Sequence, residues 1–111
     1  ALVLLNDPVY VESARVFAQR ILTEGGRTLP QQLDWAFLTA LNREPTAEER
    51  RILTDLHRAS LQRFTASPAA ARQLIATGES ARPVGLGVVD LATMTTVSRA
   101  ILNLHELITR N

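Results

Sequence analysis

Apolar positions recur every three to four residues along most of this chain, the spacing of one helix face. In the first run, Tyr10, Ala14, Phe17, Ala18 and Ile21 share a stripe, while Glu12, Arg15 and Gln19 fall mostly on the other face. Asn6-Asp7-Pro8 precedes the stripe, with Asp7 as an Asx N-cap and proline at the first helical position. Gly25-Gly26 closes it. The pattern predicts a helix over 8–23. Thr28-Leu29-Pro30 opens a second helix with a stripe of Leu33, Ala36, Phe37, Ala40 and Leu41, ending near Asn42 and blocked by Pro45.

Thr46-Ala47-Glu48-Glu49 has the spacing of a capping box, in which the Thr46 hydroxyl accepts from the Glu49 amide and the Glu49 carboxylate reaches back. Leu53, Leu56, Ser60 and Phe64 follow on one face, with Ile52 beside them, so a third helix is expected to run to about 64. Ser67-Pro68 repeats the cap-then-proline signal, with Ser67 as the cap of a short helix carrying Ala71, Leu74 and Ile75 and ending at Gly78. The stretch 79–87 holds Pro83, Gly85 and Gly87 and reads as a loop. A last helix starts near 88–90 and continues to the C-terminus, lined by Leu91, Met94, Val97, Ile101, Leu104 and Ile108. Leu102 and Leu107 widen that stripe, so burial on more than one face is expected. No segment alternates as a strand does between hairpin residues. The expected fold is all-α: a single domain over 1–111 of about five helices, a bundle or an orthogonal helical array.

Composition narrows the function. A chain of 111 residues with 46% hydrophobic and 21% charged positions can build one core without staples. Basic residues number 12 against 11 acidic, so there is no basic arm for nucleic acid and no acidic tail. Every basic residue is arginine, but residues 43–63 carry Arg43, Arg50, Arg51, Arg58 and Arg63 among Glu44, Glu48, Glu49 and Asp55, which leaves almost no local surplus. A lone Trp35 on a helix reads as packing rather than as a base platform. No apolar run approaches the roughly 20 residues of a membrane span, so no membrane insertion by this segment is expected. Absence of cysteine excludes disulfides, thiolate metal sites, a cysteine nucleophile and covalent haem attachment in this chain.

Candidate chemistry is sparse. His57 and His105 are the only histidines, too few for a zinc ligand set. The serines form no Gly-x-Ser-x-Gly elbow; Ser60 and Ser98 read as small packing residues. Glu48 and Glu49 are adjacent and so do not share a helix face; their place in a first turn suits the helix dipole. Gly85-Leu86-Gly87 lacks the strand and the third glycine of a dinucleotide loop. No catalytic, cofactor-binding or metal residue is therefore assigned. The sharpest feature is Ala1–Leu5, almost wholly Leu and Val before the polar Asn6-Asp7. Leu2, Leu4 and Leu5 are candidate interface residues: they either pack against the first and last helices or form a docking surface, on which two copies could pair as a homodimer.

The punctuation resembles a known family. Ala1–Glu12, then Ala36-Phe37 through Leu41-Asn42-Arg43-Glu44-Pro45-Thr46 with Glu49, then Gly78-Glu79 and Arg99–Arg110, are similar to the C-terminal part of a planctomycete cytochrome c-associated domain of unknown function. It is the last domain of large exported proteins that carry a cytochrome c-like domain near their N-terminus. That family commonly has an acidic residue where this chain has His105. The resemblance implies a C-terminal fragment of a larger protein, exported to the periplasm or cell envelope, with a covalent haem elsewhere in the parent and none on this chain. It supplies no catalytic residue. It implies a non-catalytic structural or interaction module whose partner is the rest of the parent chain. The alternative is a part of an enzyme, in polysaccharide processing or redox chemistry, whose catalytic groups lie mainly upstream.

Overall fold

The computed structural model describes residues 8–76 and 85–109. Among them are five α-helices and no strand: α1 (Pro8–Glu24), α2 (Leu29–Leu41), α3 (Ala47–Ala66), α4 (Pro68–Ile75) and α5 (Val88–Thr109). The all-α expectation holds, and α2, α3 and α4 start at the threonine and proline signals of the sequence.

Local chemistry explains the breaks. The Gly25 N–H donates to the Ile21 carbonyl at 2.9 Å, and Gly26 has φ +109°. A Cβ on Gly25 would stand 2.6 Å from the Ile21 oxygen of α1's own last turn, a clash, and 3.3 Å from the Gln32 Cα of α2, a tight contact, so the corner favours glycine. Thr28 caps α2 in a full capping box: its hydroxyl accepts from the Gln31 N–H, and Gln31 Oε1 accepts from the Thr28 N–H. Asn42 ends α2 in the left-handed region at φ 59°, with its N–H on the Leu38 carbonyl.

The second capping box forms as the sequence specifies. Glu49 N–H donates to Thr46 Oγ1 at 3.1 Å, and Thr46 N–H donates to Glu49 Oε1 at 2.8 Å. Ser67 differs. It stands at the junction of α3 and α4, but its side chain makes no capping hydrogen bond. Its backbone serves both helices: the N–H donates to Arg63 and the carbonyl accepts from Ala70 and Ala71. That double duty holds ψ at 79°, where Thr46 has the extended 165° of a capping residue. Asp7 and Gly78 lie outside the described residues.

The core gathers Phe17, Ala18 and Ile21 of α1, Leu33, Ala36 and Phe37 of α2, Leu53 and Phe64 of α3, Ala71 and Ile75 of α4, and Leu91, Ala92, Met94, Val97 and Ile101 of α5. Helix α5 packs on each of the other four, most extensively on α1. It is buried on several sides, since all five residues from Leu91 to Thr95 are enclosed, as are Val97 and Ser98. Ser60 is buried as well, the packing role its spacing suggests. The radius of gyration is 13.1 Å, matching the ~13 Å of a compact single body of this length.

One face of α1 departs from the sequence expectation. Arg15, assigned to the polar side, is 1% exposed, and Glu12 and Gln19 are half-buried. Val11, Arg15, Ala18 and Leu22 form a second covered row, because α1 is enclosed over a wider arc than its apolar stripe. The Arg15 guanidinium lies 3.9 Å from the Glu12 carboxylate.

Candidate interaction surface

Helices α3 and α5 leave a groove between them. Helix α3 contributes Glu49, Ile52 and Leu53; α5 contributes Ala100, Asn103 and Leu104. These positions repeat at three- and four-residue intervals, so each set projects from one face of its helix. The groove encloses about 260 Å³. Leu53 closes its floor at 3% exposure, whereas Ile52 stands 51% exposed on its wall.

The carboxylate at this groove is fixed in charge and in position. Arg43 Nη1 and Nη2 donate to Glu49 Oε1 and Oε2 at 2.7 and 2.8 Å, a two-pronged pair, while the Thr46 N–H binds Oε1. The Arg43 guanidinium also lies over the Phe37 ring, 5.4 Å from its centroid. Hydrogen bonding from Arg43, helped by Thr46 and opposed by partial burial, lowers the Glu49 pKa to about 2. An acid held that low stays ionised at neutral pH and cannot serve as a proton donor. The groove therefore offers apolar contact, one amide and one carboxylate paired with Arg43.

A second groove of about 450 Å³ runs along α1, lined by Glu12, Ser13, Val16, Phe17, Arg20 and Leu102. Trp35 of α2 adjoins two of these residues: its ring centroid is 6.1 Å from that of Phe17 and 5.2 Å from the Arg20 guanidinium. Trp35 is thus a packing element, as its isolation in the sequence suggests. Arg50 pairs with Asp34 and joins α3 to α2.

The remaining candidates separate. His57 is half-buried on α3; burial lowers its pKa, and the charge of Asp90 at the start of α5 partly opposes this. His105 is exposed near the end of α5. Glu48 is exposed beside Arg51, while its neighbour Glu49 turns into the capping box. Among the described residues no group of three His, Cys, Asp or Glu side chains is placed to hold a metal ion. Leu2, Leu4 and Leu5 lie outside the described residues. Sequence reasoning missed the Arg43–Glu49 pair, although Arg43 lies three residues before the cap; it also missed the Gln31 half of the α2 box, which the Thr-x-x-Gln spacing carries.

Residues 1–57 match the family PSD1, protein of unknown function (DUF1553). The chain belongs to that family. No curated protein and no solved structure matches it significantly. The match in this DUF1553 chain stops inside α3, which continues to Ala66. Both grooves therefore combine residues within the matched segment with residues of α5 beyond it.

Proposed function

We propose that this DUF1553 chain is a non-catalytic helical module that packs against other parts of a larger exported protein. The observation that carries this reading is the α3/α5 groove, where half-exposed Ile52 flanks a carboxylate already neutralised by Arg43. Such a surface gains by covering apolar area and holds no group poised for proton transfer near neutral pH. The likeness to planctomycete proteins supports a position outside the cytoplasm and a covalent haem elsewhere in the parent. The residues here do not fit that haem: with no cysteine, no thioether can form on this chain. Placing a photoreactive amino acid at Ile52 in the intact parent tests the module. Crosslinks from Ile52 to another part of the same chain are expected, with exposed Arg51 as the control position. Equal, background labelling at both positions would remove the proposal.

A further inference from the structure

Helices α1, α2 and α3, the last lying only partly in the matched segment, hold one another narrowly. Helix α1 meets α2 narrowly, and α2 meets α3 narrowly; each packs more extensively on α5 than on the others. The faces they turn inward are strongly apolar, with Ile21, Leu33, Phe37 and Leu53 each 3% exposed or less. What covers those faces is α5, which begins at Val88, well past the end of the match at residue 57. We infer that residues 8–57 of this family segment form a receptor for a helix, and that α5 is its occupant. The matched segment is thus not a folding unit by itself.

The chemistry of the fit is specific. Helix α5 carries Ala92, Thr95 and Ser98, all fully buried, and α1, on which it packs most extensively, carries Ala14 and Ala18, also fully buried. Small buried residues on both helices permit close backbone approach, and Met94, Val97 and Ile101 of α5 are enclosed in the core shared with the other helices. An isolated three-helix segment would expose all these faces to water. Burial of such side chains is the main term that offsets ordering of the chain. Loss of α5 is therefore expected to release α1 and α2 together, although neither is touched covalently.

Native-state hydrogen exchange on the intact chain tests this. The slowest amides of α1, α2 and α5 are expected to open with one common free energy. Val97→Ala, a change lying wholly outside the matched segment, should speed all three by the same factor, roughly tenfold or more. Acceleration confined to α5, with α1 and α2 as protected as before, would overturn the inference. A second measurement does not depend on that variant. The chain cut after His57 should show no cooperative thermal transition alone, and adding a peptide of residues 88–109 should raise its helicity above the sum of the parts. A cooperative transition in the 1–57 chain without the peptide, or no gain on adding it, would equally overturn the inference.

Discussion

A threonine and a serine at helix starts carry different weight, and the difference is geometric. Thr46 both caps α3 and receives Glu49 in return, so Thr46→Ala removes a cap worth about 1 kcal/mol. Ser67 makes no side-chain cap bond, so Ser67→Ala is expected to leave the urea midpoint nearly unchanged. Equal midpoint losses for the two variants would contradict the structure. Glu49 adds a pH dependence of known sign. Its carboxyl falls from an ordinary 4.5 to about 2 in the folded chain, chiefly through Arg43. The unfolded chain therefore takes up the proton first, and stability present above pH 4.5 is lost as pH falls from 4.5 towards 2. Glu49→Gln should be less stable at neutral pH and should show a shallower acid limb, read from urea titrations at successive pH values. Arg15 shows the limit of pattern reading at this scale. Its charge predicts exposure, and only the enclosure of α1 on a second side, where it meets Glu12, makes it a buried residue.

At the scale of elements, the chain is divided by backbone chemistry that a sequence displays openly. Proline in the first turn, Asn42 in the left-handed region and two capping boxes fix the ends of α2 and α3 within a residue or two. Gly25 is a different kind of signal. It is an end to α1 in the sequence, but in the structure it is also the point where α2 presses against α1. Gly25→Ala is expected to destabilise the chain by more than the usual helix-end glycine, since the new Cβ meets backbone at 2.6 and 3.3 Å and neither atom can swing aside. A thermal midpoint equal to wild type would show that the α1–α2 corner relaxes freely. Helix α5 is the least ordinary element. It carries hydroxyls in its middle, two of which bond to the preceding turn: buried Thr95 Oγ1 to the Leu91 carbonyl at 2.7 Å and half-buried Thr96 Oγ1 to the Ala92 carbonyl at 3.2 Å.

For the whole molecule, one helix surrounded by four means one core, and one core means one transition. Trp35 on α2 touches Phe17 of α1, while most of the circular dichroism comes from helices distributed over the entire chain. Tryptophan fluorescence and far-ultraviolet ellipticity are therefore expected to report the same urea midpoint. A fluorescence transition at clearly lower urea would mean that α1 and α2 part from the rest before α5 melts, against the receptor arrangement. The same centrality of α5 explains why both surface grooves use it. Leu102 closes one on the α1 side, and Ala100, Asn103 and Leu104 line the other on the α3 side. Whatever binds either groove reads the assembled molecule and not the family-matched segment alone.

Residue order by itself determined the five helices, most of their starts, and which apolar stripes face inward, because caps, prolines, glycines and the 3.6-residue period act over a few neighbours. It also determined that Thr46 and Glu49 would close on each other, a contact spanning one turn. Three things waited for the tertiary structure. Arg43 reaches Glu49 only once the turn before α3 folds it back over Phe37. Arg15 is buried only because a second row of α1 is covered. The grooves exist only where α5 lies between α1 and α3. The pair depends on how one turn folds, while the grooves depend on helices far apart in sequence meeting around α5, and no local period or cap encodes which helix takes the centre.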